Sequence, residues 1–394
     1  MSCRKILWVC FCLCTSSLTR IQAQSPVTNP VRIAVLDPLY IDSAFNGYDY
    51  KLEDNSMPQY ILAGLDFYNG VMLAADSLQK EGANLEIWVY DTKKKNQTID
   101  SLLKGMQYLN FSLILASFTN PLEQQAVSAF SAANNIPLIS VTYPNNAGIA
   151  SNPFFVMLNS TLQTHVTGIY QFMQQNYNNA NPLFIARKGG YLEQRISGWF
   201  KAAALPGNSF NYRYTELGDD FSPGEVLSQL DSTRQNIIVC GTLNENFGLK
   251  LVRTISEAKS YRATIVGMPD WDALPFPDDP AIDIIYSTPF NYPRTDSLEL
   301  LLNNEYYDRF FARPSDMVFK GFEAMYHFAH LLVLHPGDFI NHVADTSFTV
   351  CNNFDIRPVL EGNAAYLPSY LENKTLYFVK KNNGEIVSIT RLHK

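Results

Sequence analysis

The chain has 394 residues, 17% of them charged and 46% hydrophobic, and a net charge of −7. That length suits two lobes with separate cores, and the acidic balance argues against nucleic acid or an anionic membrane as a partner. Arg4 and Lys5 precede an apolar run from Ile6 to Cys14, and Ile21-Gln22-Ala23 offers a small-residue cleavage site. Together these predict a cleavable secretory signal over 1–23 rather than a membrane anchor. Losing Arg4, Lys5 and Arg20 with it would take the net charge from −7 to −10. No later apolar run approaches the roughly 20 residues that span a bilayer, so the mature chain is expected not to cross a membrane. Four of the six cysteines lie in the signal. Cys240 reads as a small buried hydrophobe, and its pairing with Cys351 stays open.

From Val31 the pattern alternates strand and helix. VRIAVLD is an apolar strand ending in an acid, and Leu65, Tyr68, Met72, Ala75 and Leu78 then recur at helical spacing. LEIWVYD from Leu85 is a strand, the stretch from Ser101 a helix, LILAS from Leu113 a strand, the stretch from Glu123 a helix, and IPLIS from Ile136 a strand. Strands apolar throughout are buried on both faces, which predicts parallel sheets covered by helices. Ligands in such sheets bind beyond the carboxyl ends of the strands, here the turns Ser117 to Pro121 and Ser140 to Asn145. After FFVML at Phe154 a second unit of the same kind begins. Its strands are PLFIAR from Pro182, NIIVC from Asn236 and ATIVGM from Ala263, with helices over 161–177, 191–204 and 244–259. DIIYSTPF from Asp283 leads into two long helical stretches, 297–311 and 315–334, and LYFVKK from Leu376 is a final strand.

The segments IAVLDPLY, DFYNGVMLAADSL, LEIWVYDT, LILASFTNPLEQQAVSAFSAANNIPLISVTYP and GFEAMYHFAHLL, in this order, resemble the type I periplasmic binding proteins. The likeness is to the branched-chain amino-acid-binding group, and within it to a branch often attached to LysM modules; no LysM module is read here. The resemblance implies an α/β protein of two Rossmann-like lobes with parallel central sheets and a three-segment hinge. It places lobe 1 at 31–158 plus 288–342 and lobe 2 at 159–287 plus 343–394, with crossings near 158–160, 287–289 and 342–348.

Matched motif by motif, Tyr191 after Lys188-Gly189-Gly190, Asp270 in Met268-Pro269-Asp270 and Tyr292 in Pro289-Phe290-Asn291-Tyr292 stand where that family holds its ligand. Asp270 would meet an ammonium, though an acid after a strand is also commonly solvated or a helix cap. In the first-lobe turns Ser117, Thr119 and Thr142 keep hydroxyls suited to a carboxylate, while Phe118 and Tyr143 are bulkier than the family's residues and would fill part of the pocket. Trp271 either stacks on a ligand or covers a core, the cleft being preferred; Arg187 either meets an anion or forms a surface ion pair. His327 and His330 share a helix face but lack a third ligand, so no metal is expected. No Gly-x-Ser-x-Gly, His-Glu-x-x-His, Walker or dinucleotide motif occurs, and no cofactor or catalysis is expected. The resemblance implies a secreted, periplasmic solute-binding protein taking a small-molecule ligand, an amino acid or short peptide, for an ABC transporter permease. The alternative it implies is an envelope protein that works with cell-wall proteins in peptidoglycan metabolism.

Overall fold

The computed structural model of the chain describes residues 29–52, 57–204, 210–295, 297–360 and 367–392. The expected signal segment lies outside the described residues. Two seven-stranded sheets form the framework. The first contains β1 (Val31–Asp37), β2 (Leu85–Asp91), β3 (Leu113–Ala116), β4 (Leu138–Ser140) and β5 (Phe155–Met157), all parallel in the order β2-β1-β3-β4-β5. The second contains β6 (Leu183–Arg187), β7 (Arg213–Leu217), β8 (Gln235–Gly241), β9 (Arg262–Val266) and β10 (Ile282–Thr288) in the equivalent order β7-β6-β8-β9-β10. Both lobes therefore reverse strand order at the same place, and such a switch point leaves a crevice at the carboxyl ends of the strands.

The last part of the chain adds two strands to each sheet. β11 (Ile356–Val359) and β12 (Tyr370–Asn373) extend the first beyond β5, and β13 (Leu376–Asn382) and β14 (Glu385–Leu392) extend the second beyond β10. This corrects the expected assignment of 343–394 to lobe 2. Phe354, Ile356 and Leu371 are buried in the core of lobe 1, so that stretch stays with it until Asn373. The third crossing accordingly runs through Lys374 and Thr375, not 342–348. β7 and β11 were not anticipated as strands. β7, RYTEL, alternates exposed and covered residues beside β6 at the edge of its sheet, and β11 carries Pro358, which an edge tolerates because no ladder donor is lost.

The helices Gln59–Lys80 and Asp316–Leu334 pack backbone to backbone on lobe 1. A Cβ on Gly70 would lie 2.0 Å from the Val318 carbonyl oxygen, and one on Gly321 would lie 2.2 Å from that of Phe67. Only glycine at both positions permits this approach. The Asp66-Phe67-Tyr68-Asn69-Gly70 motif thus sits inside the first helix rather than at its opening, and its role is packing. Phe67 is core, and Asp66 accepts hydrogen bonds from Tyr306 Oη at 2.8 Å and Ser315 Oγ at 2.6 Å.

The three crossings lie side by side. Ser160 Oγ donates to the Asn373 carbonyl at 2.7 Å, and Asn373 Nδ2 donates to that of Leu158 at 3.1 Å. The buried Glu372 carboxylate, on β12 of lobe 1, accepts from the Thr161 amide at 2.8 Å and the Thr164 hydroxyl at 2.6 Å, at the start of the lobe 2 helix Leu162–Tyr177. Side-chain hydrogen bonds thus tie the first and third connections to each other. Cys240 and Cys351 are not bonded to each other, one being buried in the core of lobe 2 and the other packed on that of lobe 1. Among the described residues no helix is long and apolar enough to cross a membrane.

One buried acid costs lobe 1 stability. Asp37, at the end of β1, is 0% exposed, and neither carboxylate oxygen has a hydrogen-bond partner among the described residues. Burial, aided by the charge of Asp91, holds its carboxyl well above the usual range. The folded state therefore keeps a proton that the unfolded chain releases, so its contribution is complete below the ordinary carboxylate range and is lost as pH rises through the folded value. We expect Asp37→Asn to be more stable than wild type at pH 7 by on the order of 1 kcal/mol or more, and nearly equal to it at pH 4. Urea unfolding at the two pH values checks this, and equal gains at both would exclude a titrating Asp37.

Candidate functional site

The carboxyl ends of both sheets open onto one interlobe cavity of about 860 Å3. Lobe 1 supplies Pro144 to Asn146 in the loop after β4, Phe290, Lys320 and Tyr370. Lobe 2 supplies Leu192, Arg195 and Trp199 from the helix Tyr191–Ala202, Leu243 after β8, and Asp270 and Asp272 after β9. Ser160, Thr161, His165 and Ser287 line it at the crossings.

Its charges are placed on opposite walls. Asp270 lies in the short turn of helix Pro269–Ala273, and its Oδ1 is buried without a hydrogen-bond partner among the described residues. Burial pushes its carboxyl up to about 7, the charges of Glu245 and Asp272 add to this, and a backbone hydrogen bond opposes it. Lys320 projects from the lobe 1 helix with its ammonium 4.7 Å from the centre of the Phe290 ring. No carboxylate among the described residues is within ion-pair distance of it. Burial pulls the Lys320 ammonium below its ordinary range, against the opposing charges of Asp316, Asp272 and Glu323. His165 Nδ1 lies 2.8 Å from Ser287 Oγ, and complete burial lowers the imidazole to about 3, leaving it neutral at physiological pH.

Of the residues predicted for the site, only Asp270 lines this cavity. Trp271 is 0% exposed and belongs to the core of lobe 2, its ring 4.7 Å from that of Phe276; the preference for the cleft is corrected in favour of packing. Phe118 is likewise buried, in the core beneath β1 and β3, and Tyr143 packs against the same cluster, so neither fills the cavity as expected. Ser117 Oγ and Thr142 Oγ1 lie 3.3 Å apart, and Thr142 donates to the Phe118 carbonyl at 3.1 Å, which ties the two turns together outside the cavity wall. Thr119 is exposed. Tyr292 turns into lobe 1, stacks on Phe319 and donates to the buried Glu323 carboxylate. Tyr191 is 75% exposed, immediately before the lining residue Leu192 and outside the cavity wall. Arg187 forms the ion pair, with Asp219 at 2.6 Å and 2.7 Å. His327 is buried against the Phe328 and Phe354 rings, and His330 Nε2 lies 2.8 Å from Glu81.

Sequence reasoning missed Lys320, Arg195 and His165. Lys320 carried a signal: in DMVFKGFEAMYHFAHLL it is the one cation among positions that otherwise read as core. Arg195 carried another, flanked by Tyr191 and Trp199 at intervals of one helical turn.

No family model matches the sequence, and no curated protein is similar to it in sequence. Solved structures do match. A putative branched-chain amino acid ABC transporter from Rhodospirillum rubrum superposes with a TM-score of 0.66 at 13% identity, over 91% of this chain and 100% of that one. A branched chain amino acid ABC transporter periplasmic ligand-binding protein from Burkholderia xenovorans gives 0.60 at 11% identity, over 92% and 95%. The chain has the type I periplasmic binding protein fold. An ABC transporter substrate-binding protein from Desulfitobacterium hafniense in complex with Leu is a further match, at 0.57 and 11% identity over 92% and 100%. The cavity lies between the two lobes, with Asp270 lining it from lobe 2 and Lys320 from lobe 1.

Proposed function

We propose that the chain is a secreted, periplasmic solute-binding protein that holds a small zwitterion, an amino acid or short peptide, between its lobes and presents it to an ABC importer. The observation that carries this reading is the pair of ionisable groups in one cavity without ion-pair partners among the described residues, Asp270 on lobe 2 and Lys320 on lobe 1. A ligand with an ammonium and a carboxylate satisfies both, and charge-assisted hydrogen bonds in a partly dry cleft are strong. Because the two groups belong to different lobes, the same ligand draws the lobes together. The structural neighbours support a binding role through their own described functions.

The cavity favours binding over catalysis. Ser287 and His165 form its hydroxyl–imidazole pair, but an imidazole lowered to about 3 is a weak base for activating a hydroxyl. The test is a thermal-shift screen of the mature protein against amino acids and short peptides, since a ligand bound only by the folded state raises the melting temperature. For each ligand found, saturation is expected to lower the radius of gyration in solution scattering as the hinge closes. An unchanged radius with a saturating ligand would exclude lobe closure.

A further inference from the structure

The cavity holds a second cation that a simple α-amino acid leaves unused. Arg195 sits on the helix Tyr191–Ala202, and its guanidinium lies 4.5 Å from the centre of the Trp199 ring and 5.8 Å from that of Tyr191. Residues 191, 195 and 199 fall one helical turn apart, so the three side chains form a single row, with Arg195 and Trp199 lining the cavity. Rings on both sides fix the direction of a side chain that is otherwise rich in rotamers, which lowers the entropy lost when it binds. Among the described residues no carboxylate lies within ion-pair distance of Arg195, whereas Arg187 on the preceding strand is held by both Asp219 and Glu193. The guanidinium is exposed on the cavity wall between the two rings, with no carboxylate among the described residues at ion-pair distance. Asp270, on the same lobe, and Lys320, on the other, already account for one ammonium and one carboxylate. The cavity volume of about 860 Å3 falls within the range for small-molecule sites.

We propose that the Arg195–Trp199 row is a subsite for a second carboxylate, so that the preferred ligand is an acidic short peptide, one with a carboxylate side chain beyond its terminal carboxylate. A planar guanidinium matches a carboxylate through two parallel N–H···O bonds, and Trp199 and Leu192 cover the intervening methylene groups. This proposal rests on the zwitterion reading of the cleft and adds a preference to it.

The experiment is calorimetric titration of the mature protein with L-alanyl-L-glutamate, L-alanyl-L-glutamine and L-leucine. The two dipeptides have nearly the same shape and differ by one charge. Wild type is expected to bind the glutamate peptide about tenfold or more tightly than the glutamine peptide, the scale of one charge-assisted hydrogen-bonded contact. In Arg195→Gln that preference is expected to fall to within about threefold, while Arg195→Lys retains part of it. Equal binding of the two dipeptides by wild type overturns the subsite even if a variant fails to fold, and so does an undiminished preference in Arg195→Gln. Tight leucine binding with neither dipeptide bound overturns the subsite and leaves the zwitterion reading standing. Binding of none of the three overturns both.

Discussion

Replacing Asp270 by Asn is expected to weaken binding of an ammonium-bearing ligand by on the order of 2 kcal/mol or more, with the folded state at least as stable as wild type. Two observations set the direction. The Asp270 carboxylate has a buried oxygen without a hydrogen-bond partner among the described residues, so charging it is costly, and burial has already moved its carboxyl to about 7. A ligand ammonium removes that cost in the complex and lowers the carboxyl's proton affinity there. The unbound protein then holds a proton that the complex does not, so affinity should rise with pH up to about 7 and level off above it until the ligand's own amine deprotonates. In Asp270→Asn this rise should vanish along with the lost affinity. Calorimetry across pH 5 to 8 measures both effects. A variant that binds as tightly as wild type, with the same pH profile, would remove Asp270 from the site.

The fold was largely legible because its signals are periodic and redundant. Apolar runs such as Val31–Asp37 and Gln235–Gly241 are buried on both faces and read as parallel strands. The misses have separate causes. β7 and β11 are edge strands, half exposed, with charges or proline where an inner strand would be apolar. The helix Gln59–Lys80 was read with the right period from Leu65, Tyr68, Met72, Ala75 and Leu78, of which only Leu78 is buried, while Ile61, Gly64, Phe67, Val71 and Ala74 are buried on the face that meets the sheet. That helix is apolar on nearly all sides, so its sequence does not mark the face that meets the sheet. The return of 356–373 to lobe 1 depends on long-range pairing of β12 with β5, which no local pattern encodes.

The site was less legible, because the direction of a side chain at a strand end is decided by packing. Asp270 and Trp271 are adjacent, yet one faces the cavity and the other fills the core. Phe118 follows a strand whose carboxyl end does point at the cleft, but Leu36, Ala116 and Val127 in the same core take up its ring. Tyr292 found a buried carboxylate partner in Glu323, and the hydrogen bond turns it inward. Lys320 and Arg195 reach the cavity from helices far apart in sequence, so their meeting across the cleft exists only in the folded chain.

Trp271→Ala, one residue beyond Asp270, should show the opposite signature. The ring is wholly buried, contacts Phe276, and occupies space that two glycines leave open: a Cβ on Gly267 would lie 1.9 Å from it and one on Gly248 3.0 Å. Removing a side chain of this size from a core costs about 3 to 5 kcal/mol, the sum of lost transfer energy and the cavity left behind. No hydrogen bond to Nε1 among the described residues is lost, so the cost is one of packing. Although Asp270 shares the turn Pro269–Ala273, Trp271 itself does not line the cavity, so affinity of the remaining folded protein should change far less than stability does. Urea unfolding should therefore report a large shift, while calorimetry on the folded fraction should return an affinity within about threefold of wild type, a difference of under 1 kcal/mol. The reverse outcome, unchanged stability with binding abolished, would mean that the indole stands in the cleft and stacks on the ligand.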